Sequence, residues 1–248
     1  MVDNQSYFVS DLFPDNVFTA FLTVKTVSFT NKSLKKTAEK IKDFVSRTVD
    51  KPKDLFKVVF MDQRHTTNTA VVTKDLLLNS DFTVLDSTDA VITNLKNTIL
   101  VAKTADCLPV VYAGLKFIAI SHQGWIGSFA NLAEKVILKL QLVKERLTDI
   151  RVAIGPHIGA CCYSIDKNRQ SLFRLVYKQW QESIFVKLDN STTGLNLLRL
   201  NLLQCQQAGL SLDQIDSRLF CTACDTRFAS YRRDKTLDKQ NISLILKL

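Results

Sequence analysis

The pattern of apolar and polar positions divides the chain into many short strands and a few helices. β-Branched and aromatic residues dominate positions 18–29, which predicts a strand there. Apolar residues then recur at helical spacing and predict a helix over 33–49, with Asn31 as its N-cap. Shorter apolar runs predict further strands at 56–61, 69–73, 90–93, 98–102, 108–112 and 116–121.

The second half of the chain has the same mixture of elements. A stripe of apolar residues predicts a helix over 128–147, followed by a strand at 150–154. Helices are predicted over 168–186 and 195–208, and Gly209 ends the second of them. Because strands and helices do not alternate regularly, this order favours the α+β class over a doubly wound sheet. The last predicted strands are 217–221, 228–232 and 242–248.

Length and composition fit one globular domain that covers residues 1–248. The chain is 46% hydrophobic and 23% charged, which excludes collagen-like, low-complexity and disordered proteins. Glycine is scarce, with seven in total, and five of these fall between positions 114 and 159. Since glycine permits tight turns and close approach of the backbone, we expect that segment to shape a site.

Charge and the N-terminal sequence bear on partners and location. Of the net charge of +9, residues 25–57 carry +6. Such a patch could bind nucleic acid or an acidic lipid surface, but we favour a solvated helix face and expect no nucleic-acid partner. Acidic residues stand where a signal peptide needs basic ones, and no apolar run approaches the roughly 18 residues of a membrane span. We therefore expect a cytoplasmic protein that does not engage a membrane.

Six cysteines, at positions 107, 161, 162, 205, 221 and 224, are typical of a reduced protein rather than of a disulfide framework. An adjacent pair such as Cys161-Cys162 is unlike the spaced cysteines of small secreted domains. The segment Cys221-Thr-Ala-Cys224 could be a redox pair or half of a zinc ribbon. Because no second C-x-x-C follows, ordinary packing is the favoured interpretation.

Histidine and cysteine residues in three separate segments predict a metal site. His65 follows one predicted strand, Cys107 precedes another, and His122 comes directly after a third. Three protein ligands would leave a fourth zinc position open for water or substrate. The alternative is structural, because a lone histidine at a strand end usually forms hydrogen bonds and a lone cysteine before an apolar run is usually a small buried hydrophobe.

Two neighbouring arginines predict an anion site. Arg232 and Arg233, in the segment Ser230-Tyr-Arg-Arg-Asp234, are suited to binding phosphate. The alternative is a surface strand on which Asp234 neutralises one of the two arginines.

Ordered motifs between about residues 56 and 234 resemble those of the YfiH-type family. They are Thr104-Ala-Asp-Cys-Leu-Pro-Val110, His122-Gln-Gly-Trp125, Ile154-Gly-Pro-His-Ile-Gly-Ala-Cys-Cys-Tyr163, and Cys221-Thr-Ala-Cys-Asp225 followed by Ser230-Tyr-Arg-Arg-Asp234. Members of this family have been labelled polyphenol oxidase or laccase, and later purine nucleoside phosphorylase with adenosine deaminase activity. The resemblance implies a single α+β domain with a central mixed β-sandwich flanked by helices.

The resemblance also implies a function and the residues that perform it. By position, the family's metal ligands and catalytic residues correspond to His65, Cys107 and His122. It implies an enzyme that depends on zinc, with copper less favoured, and that binds a purine nucleoside and phosphate. The reaction would be phosphorolysis, deamination or both.

Substrate contacts are less well matched than the metal ligands. Arg232 or Arg233 would bind the phosphate, and Asp106 would orient a metal ligand or contact the substrate. Several family positions differ here, and the loss of an arginine and a glutamate is expected to remove contacts to a polar ligand. The differences are Thr66 for glycine, Gln123 for alanine, Ile126 for arginine, Ser164 for glutamate and an altered N-terminal motif at 23–28.

Three other functions stay open at this point. Cys107 and His122 could be the nucleophile and base of a cysteine hydrolase or deamidase, because the family fold resembles that of deamidating cytotoxic necrotising toxins. A copper polyphenol oxidase is the second, although three histidines and six cysteines cannot supply the histidine-rich set of a multicopper site. The third is a catalytically eroded binding protein that uses the basic 25–57 face.

Overall fold

A computed structural model describes residues 6–29, 33–77 and 80–248. The strands are β1 (Tyr7–Phe8), β2 (Val17–Leu22), β3 (Lys57–Met61), β4 (Thr69–Val72), β5 (Phe82–Leu85), β6 (Ala90–Thr93), β7 (Thr98–Thr104), β8 (Leu108–Ala113), β9 (Ile118–Gln123), β10 (Arg151–Ile154), β11 (Ser164–Ile165), β12 (Phe185–Lys187), β13 (Thr193–Leu195), β14 (Ile215–Ser217) and β15 (Asn241–Lys247). The helices are α1 (Leu34–Val49), α2 (Trp125–Phe129), α3 (Leu132–Leu142), α4 (Lys167–Val176), α5 (Gln181–Ile184), α6 (Leu197–Gln207) and α7 (Tyr231–Asp234).

Two six-stranded sheets form the centre of the molecule. The first has the strand order β1-β2-β15-β7-β3-β5, so the last strand in the chain lies between β2 and β7. The second has the order β14-β10-β8-β9-β6-β4. Both are mixed, since β3 runs parallel to β5 and β7, and β6 runs parallel to β4. A small third sheet has the order β11-β13-β12.

The inner faces of the two large sheets pack on each other. Phe21, Leu100 and Ile245 of the first sheet share a buried cluster with Val111 and Ile120 of the second. Each side chain is at most 1% exposed. Burying a side chain of this size contributes roughly 1.5–3 kcal/mol, so this interface is a main source of stability.

Helices cover the outer faces. Residues of α1 such as Ile41 and Val45 share a cluster with Val58 of the first sheet. On the other side, residues of α3 and α6 such as Val136 and Leu200 share a cluster with the second sheet. These helix, sheet, sheet and helix layers confirm the predicted α+β class and the sandwich flanked by helices. That one domain spans 1–248 stays a prediction.

The basic segment 25–57 contains the whole of α1. Its side chains at Lys35, Lys36 and Lys40 are exposed, as expected for a solvated helix face. Ser33 is the N-cap, because its hydroxyl accepts the backbone N–H of Lys36 at 3.2 Å. Asn31, the predicted cap, lies outside the described residues. Among the described residues, no helix is both long enough and apolar enough to cross a membrane.

Two predicted helices are divided in the structure. The predicted helix over 128–147 becomes α2 and α3, because Asn131 has a φ of 55° and caps α3 by accepting the backbone N–H of Glu134. The predicted helix over 168–186 is divided into α4, which ends at Val176, and α5, which begins at Gln181. Its last two predicted residues belong to β12, which begins at Phe185.

Three predicted strands are also wrong in part or in whole. The strand predicted over 18–29 is β2, which ends at Leu22. The strand predicted over 217–221 is β14, which ends at Ser217. The segment 228–232 forms no strand, because Ser230 accepts the backbone N–H of Arg233 and begins α7.

Candidate metal centre

Three side chains that are far apart in sequence converge at one end of the second sheet. Ring nitrogens of His65 and His122 and the Sγ atom of Cys107 all lie within 4.8 Å of one another. The distance from Cys107 Sγ to His65 Nε2 is 3.6 Å, and the two imidazole centroids are 4.9 Å apart. A nitrogen and a sulfur bound to one tetrahedral zinc would lie about 3.6 Å apart. The donor atoms are therefore spaced as a metal ion requires.

The hairpin of β8 and β9 places Cys107 beside His122. Leu108 pairs with Gln123 and Pro109 with His122, so the start of β8 lies next to the end of β9. Asp106, just before Cys107, has a φ of 93°. This left-handed conformation is unusual for a residue with a side chain, and it turns the chain from β7 of one sheet into β8 of the other.

The loop after β3 carries His65. The Gln63 side chain holds this loop on β7, since its amide nitrogen donates to the Lys103 carbonyl at 2.7 Å and its oxygen accepts the Lys103 N–H at 2.9 Å. His65 itself has a φ of 59°. Such a conformation costs energy and persists where the surrounding contacts determine it, often at functional sites.

A buried carboxylate, Asp89, connects the two histidines. Its Oδ1 lies 2.8 Å from His122 Nδ1 and accepts the backbone N–H of His65 at 3.2 Å. Its Oδ2 accepts the backbone N–H groups of Thr66 at 2.6 Å and Arg64 at 3.2 Å. Asp89 is not among the site residues predicted from the sequence. Its position directly before the mostly apolar strand Ala90–Thr93 is a signal, because a buried carboxylate needs partners.

These contacts determine the charge of each group. Burial opposes ionisation of Asp89, but hydrogen bonds from His122 and Thr66 outweigh it and lower its pKa to about 2. Burial also disfavours the Cys107 thiolate, yet the His122 charge and hydrogen bonds from His122 and His65 lower its pKa to about 6. Burial is likewise outweighed at His122, where the Cys107 thiolate and Asp89 raise the pKa to about 9. Cys107 is therefore in the thiolate form, which binds metals, near neutral pH.

Gly124 provides space that two of the donors, His65 and Cys107, occupy. A Cβ atom at this position would lie 2.7 Å from Cδ2 of His65 and 3.1 Å from Sγ of Cys107. Any larger residue would displace a proposed ligand. The clustered glycines are predicted to shape a site. Gly124 does so because side chains approach its backbone closely, and not because its φ is unusual.

The three donors line a cleft of about 520 Å³. This volume is in the usual range for small-molecule sites. Its wall combines aromatic and apolar side chains with two cations and several polar groups. Besides the three donors, the lining residues are Asp62, Gln63, Lys103, Ala105, Asp106, Ile158, Tyr163, Tyr231, Arg232, Leu237 and Gln240.

Asp106 lines the cleft, and its part in orienting a metal ligand stays a prediction. Its carboxylate accepts the Thr222 hydroxyl at 2.7 Å and the backbone N–H of Arg232 at 2.6 Å. The carboxylate that holds a candidate ligand is Asp89. Asp106 connects the loop before Cys107 to the C-terminal part of the cleft wall.

The two arginines mainly bind backbone carbonyls. The Arg232 guanidinium lines the cleft and donates to the carbonyl of Cys162 at 2.7 Å and to Ser164 Oγ at 2.9 Å. Arg233 donates to the carbonyls of Thr222 and Phe228, both at 2.8 Å, and lies outside the cleft lining. The structure thus separates the predicted pair. Lys103, which the sequence analysis also missed, is the other cation in the cleft.

His157, to which the sequence assigned no role, is a structural histidine. Its Nδ1 lies 2.9 Å from the Gly155 carbonyl oxygen. Burial lowers its pKa to about 4, so it is neutral at physiological pH.

Comparisons with known proteins give matches over most of the chain. The model of a family described as multi-copper polyphenol oxidoreductase laccase matches residues 30–246. A purine nucleoside phosphorylase of Aquifex aeolicus (strain VF5) is 31% identical over 190 residues, which cover 77% of this chain and 83% of that protein. A protein named adenosine deaminase RL5, from an unknown prokaryotic organism, is 25% identical over 186 residues, 73% of this chain and 71% of that protein. The crystal structure of Bacillus licheniformis hypothetical protein YfiH superposes with a TM-score of 0.86 at 25% identity, covering 100% of this chain and 98% of that one.

Replacing Asp89 tests its action on the metal ligands. With Zn²⁺ as the probe ion, Asp89→Asn is expected to lower the affinity of the candidate site about 10- to 100-fold, because the neutral amide supports His122 less well. Competition with a chromophoric chelator measures the affinity, and circular dichroism confirms folding. Asp86→Asn removes the same charge from an exposed position and should leave the affinity unchanged. Equal affinities for Asp89→Asn and the wild type would contradict this role.

The pH dependence of Cys107 alkylation tests the charge arrangement. In metal-free protein, the midpoint is expected near pH 6 rather than near the ordinary thiol value of 9.0. Alkylation by iodoacetamide slows as the pH falls through this midpoint, because the thiolate takes up a proton. His122→Ala removes the facing cation and should move the midpoint upward. Peptide mapping assigns the label to Cys107, and a wild-type midpoint near 9 would refute the thiolate.

Proposed function

The chain belongs to the family described as multi-copper polyphenol oxidoreductase laccase, and we propose that it is a zinc-dependent enzyme that acts on purine nucleosides. The resemblance to the YfiH-type family is thereby confirmed. The observation that carries the proposal is a His-Cys-His donor set that opens on a cleft of about 520 Å³ with aromatic and cationic walls. The names of the phosphorylase and deaminase relatives support the substrate class.

The donor set favours zinc over copper. Two imidazoles and one thiolate are typical zinc ligands, and three protein ligands leave a fourth position for substrate. A multicopper oxidase needs a histidine-rich set, whereas this chain has three histidines and buries His157 elsewhere. A blue-copper site adds a weak axial methionine, and Met61 lies instead in the core between the sheets.

The cleft walls have groups suited to each part of a nucleoside. The rings of Tyr163 and Tyr231 offer aromatic faces for a purine base. Burial and the Cys107 charge raise the pKa of Tyr163 to about 12, so its hydroxyl stays neutral. Lys103 supplies an ammonium group for phosphate, and its Nζ lies 4.4 Å from the centroid of the Phe29 ring. Arg232 adds positive charge on the opposite loop.

Phosphorolysis is the first reaction that we propose at this site. A phosphate oxygen forms a bond to ribose C1′ while the bond from C1′ to the purine nitrogen breaks. The purine leaves with the bonding electron pair and takes up a proton. Lys103 holds the attacking phosphate, Tyr163 and Tyr231 hold the base, and Asp89 keeps His122 in place. His65, Cys107 and His122 would hold a zinc ion, which would supply a Lewis acid to the reaction.

Deamination is the second reaction at the same site. Water replaces the amino group of adenosine, which leaves as ammonia. Nucleobase deaminases hold their zinc ion with histidine and cysteine side chains. The same types of donor are present here, and this supports deamination beside phosphorolysis.

A cysteine hydrolase is the alternative that a specific observation favours. His122 lies between Cys107 and Asp89, with Nδ1 2.8 Å from the carboxylate, which is the order of a nucleophile, base and orienting acid. Such an enzyme would stay active without metal and lose activity on alkylation of Cys107.

We further propose a reducing, cytoplasmic location, consistent with six free cysteines.

Incubation with adenosine, with and without phosphate, tests the proposed activity. Phosphorolysis gives adenine only when phosphate is present, and deamination gives inosine in both cases. Chromatography separates the products. His65→Ala together with His122→Ala should abolish both reactions. Turnover by protein from which a chelator has removed the metal would favour the cysteine hydrolase. Binding of adenosine without turnover would favour an eroded binding protein.

Replacement of Lys103 separates the two reactions. Lys103→Met keeps the apolar stem but removes the charge, so the KM for phosphate is expected to rise roughly 10- to 100-fold. Inosine formation should change little. Lys96→Met, which alters an exposed lysine away from the cleft, serves as the control. An unchanged KM for phosphate would assign phosphate binding to another residue.

A further inference from the structure

Four cysteines from two loops meet beside the cleft. The Sγ atoms of Cys161, Cys162, Cys221 and Cys224 all lie within 4.8 Å of one another. The adjacent pair lies in the turn after β10, and Cys221 and Cys224 lie in the turn that precedes α7. The proposed catalytic site uses none of them. Ordinary packing, the interpretation favoured from sequence, does not fit, because Cys161 and Cys224 are exposed.

We propose that these four cysteines bind a second, structural zinc ion. Sulfur atoms on one tetrahedral zinc lie about 3.8 Å apart. Cys224 Sγ lies 3.9 Å from Cys161 Sγ and 3.4 Å from Cys162 Sγ. The sequence contains one C-x-x-C, and the adjacent pair supplies the half that a second C-x-x-C supplies in a zinc ribbon. Four protein ligands close the coordination sphere, which is the pattern of a structural site.

A disulfide fits the same atoms less well. The Sγ atoms of Cys162 and Cys224 are 3.4 Å apart, well beyond the bond length of about 2.05 Å, and all four cysteines are free. Cys224 approaches two sulfurs at similar distances. A shared central ion explains this arrangement, whereas a disulfide would bring one pair together and leave the other cysteines aside.

The backbone around the cluster is arranged for thiolates. The N–H of Gly159 donates to Cys221 Sγ at 3.2 Å, and the N–H of Cys224 closes a turn on the Cys221 carbonyl at 3.1 Å. A Cβ atom at Gly159 would lie 3.1 Å from Cys221 Cβ and 3.2 Å from Cys161 Sγ. The glycine therefore lets one loop approach the cysteines of the other.

Charge supports the same conclusion. Zinc with four thiolates carries a net charge of −2, and the Arg232 guanidinium lies against the loop of the adjacent cysteine pair, where it donates to the Cys162 carbonyl at 2.7 Å. Arg233 donates to the Thr222 carbonyl of the other loop at 2.8 Å, but its charge is paired with the Asp234 carboxylate at 2.8 Å. Cations beside a zinc-thiolate centre offset this negative charge.

The second ion would support the cleft wall. Thr222, inside the C-x-x-C segment, donates to Asp106 at 2.7 Å, and Asp106 precedes Cys107. Tyr163 follows Cys162 and lines the cleft. Zinc at the four cysteines would thus join the two loops that hold them, and the hydrogen bond from Thr222 to Asp106 would connect these loops to the one that carries Cys107.

Metal analysis of purified full-length protein tests the proposal. The wild type should hold two zinc ions per chain by mass spectrometry. Cys161→Ala with Cys224→Ala should lose one of them, and His65→Ala with His122→Ala should lose the other. Cys205→Ala, which alters a buried cysteine in α6, should keep both. Zinc content that is unchanged by the paired cysteine substitutions would overturn the second site, while the histidine variant reports separately on the proposed catalytic site.

A spectroscopic measurement covers the case in which the cysteine variant does not fold. X-ray absorption of zinc in the folded variant that combines His65→Ala with His122→Ala should show four sulfur neighbours at about 2.3 Å. A shell with nitrogen or oxygen neighbours, or no retained zinc, would overturn the proposal. If the untreated protein lacks zinc at the four cysteines and also lacks their free thiols, the cluster forms a disulfide instead.

Discussion

The buried carboxylate of Asp89 is the interaction on which the candidate site depends. It accepts hydrogen bonds from the loop after β3 and holds His122 at the end of β9, so one side chain positions two donors. An isolated carboxylate in this environment would be strongly destabilised. With these partners its pKa falls to about 2, and its charge helps to keep His122 protonated opposite the Cys107 thiolate.

The sandwich makes this arrangement possible. Its two sheets are joined where the chain turns at Asp106, from β7 in one sheet to β8 in the other. The register of β8 with β9 then places Cys107 beside His122. Gly124 leaves space for two of the donors, since a side chain there would meet both His65 and Cys107. Rigid strands thus hold a short loop in an otherwise unfavourable conformation.

The opposite wall of the cleft is built by a different kind of contact. Arg232 and Arg233 donate mainly to backbone carbonyls, and four cysteines join the same two loops. Residues in this wall face the cleft, among them Tyr163, Tyr231 and Arg232. If the two centres act as proposed, one ion takes part in the reaction and the other fixes the surface that receives the substrate.

The sequence alone determined the α+β class, most strands of the sandwich and the residue types of the metal site. These features depend on local periodicity and on motifs, which are written in neighbouring positions. Only the tertiary structure decided that Asp89 orients His122, that Lys103 faces the cleft, and that two arginines hold loops. It also replaced the strand predicted at 228–232 with α7. The helix α7 depends on a local cap, in which Ser230 accepts the backbone N–H of Arg233. The other points depend on side chains that meet residues distant in the chain, and no local pattern records which distant partner a polar side chain will meet.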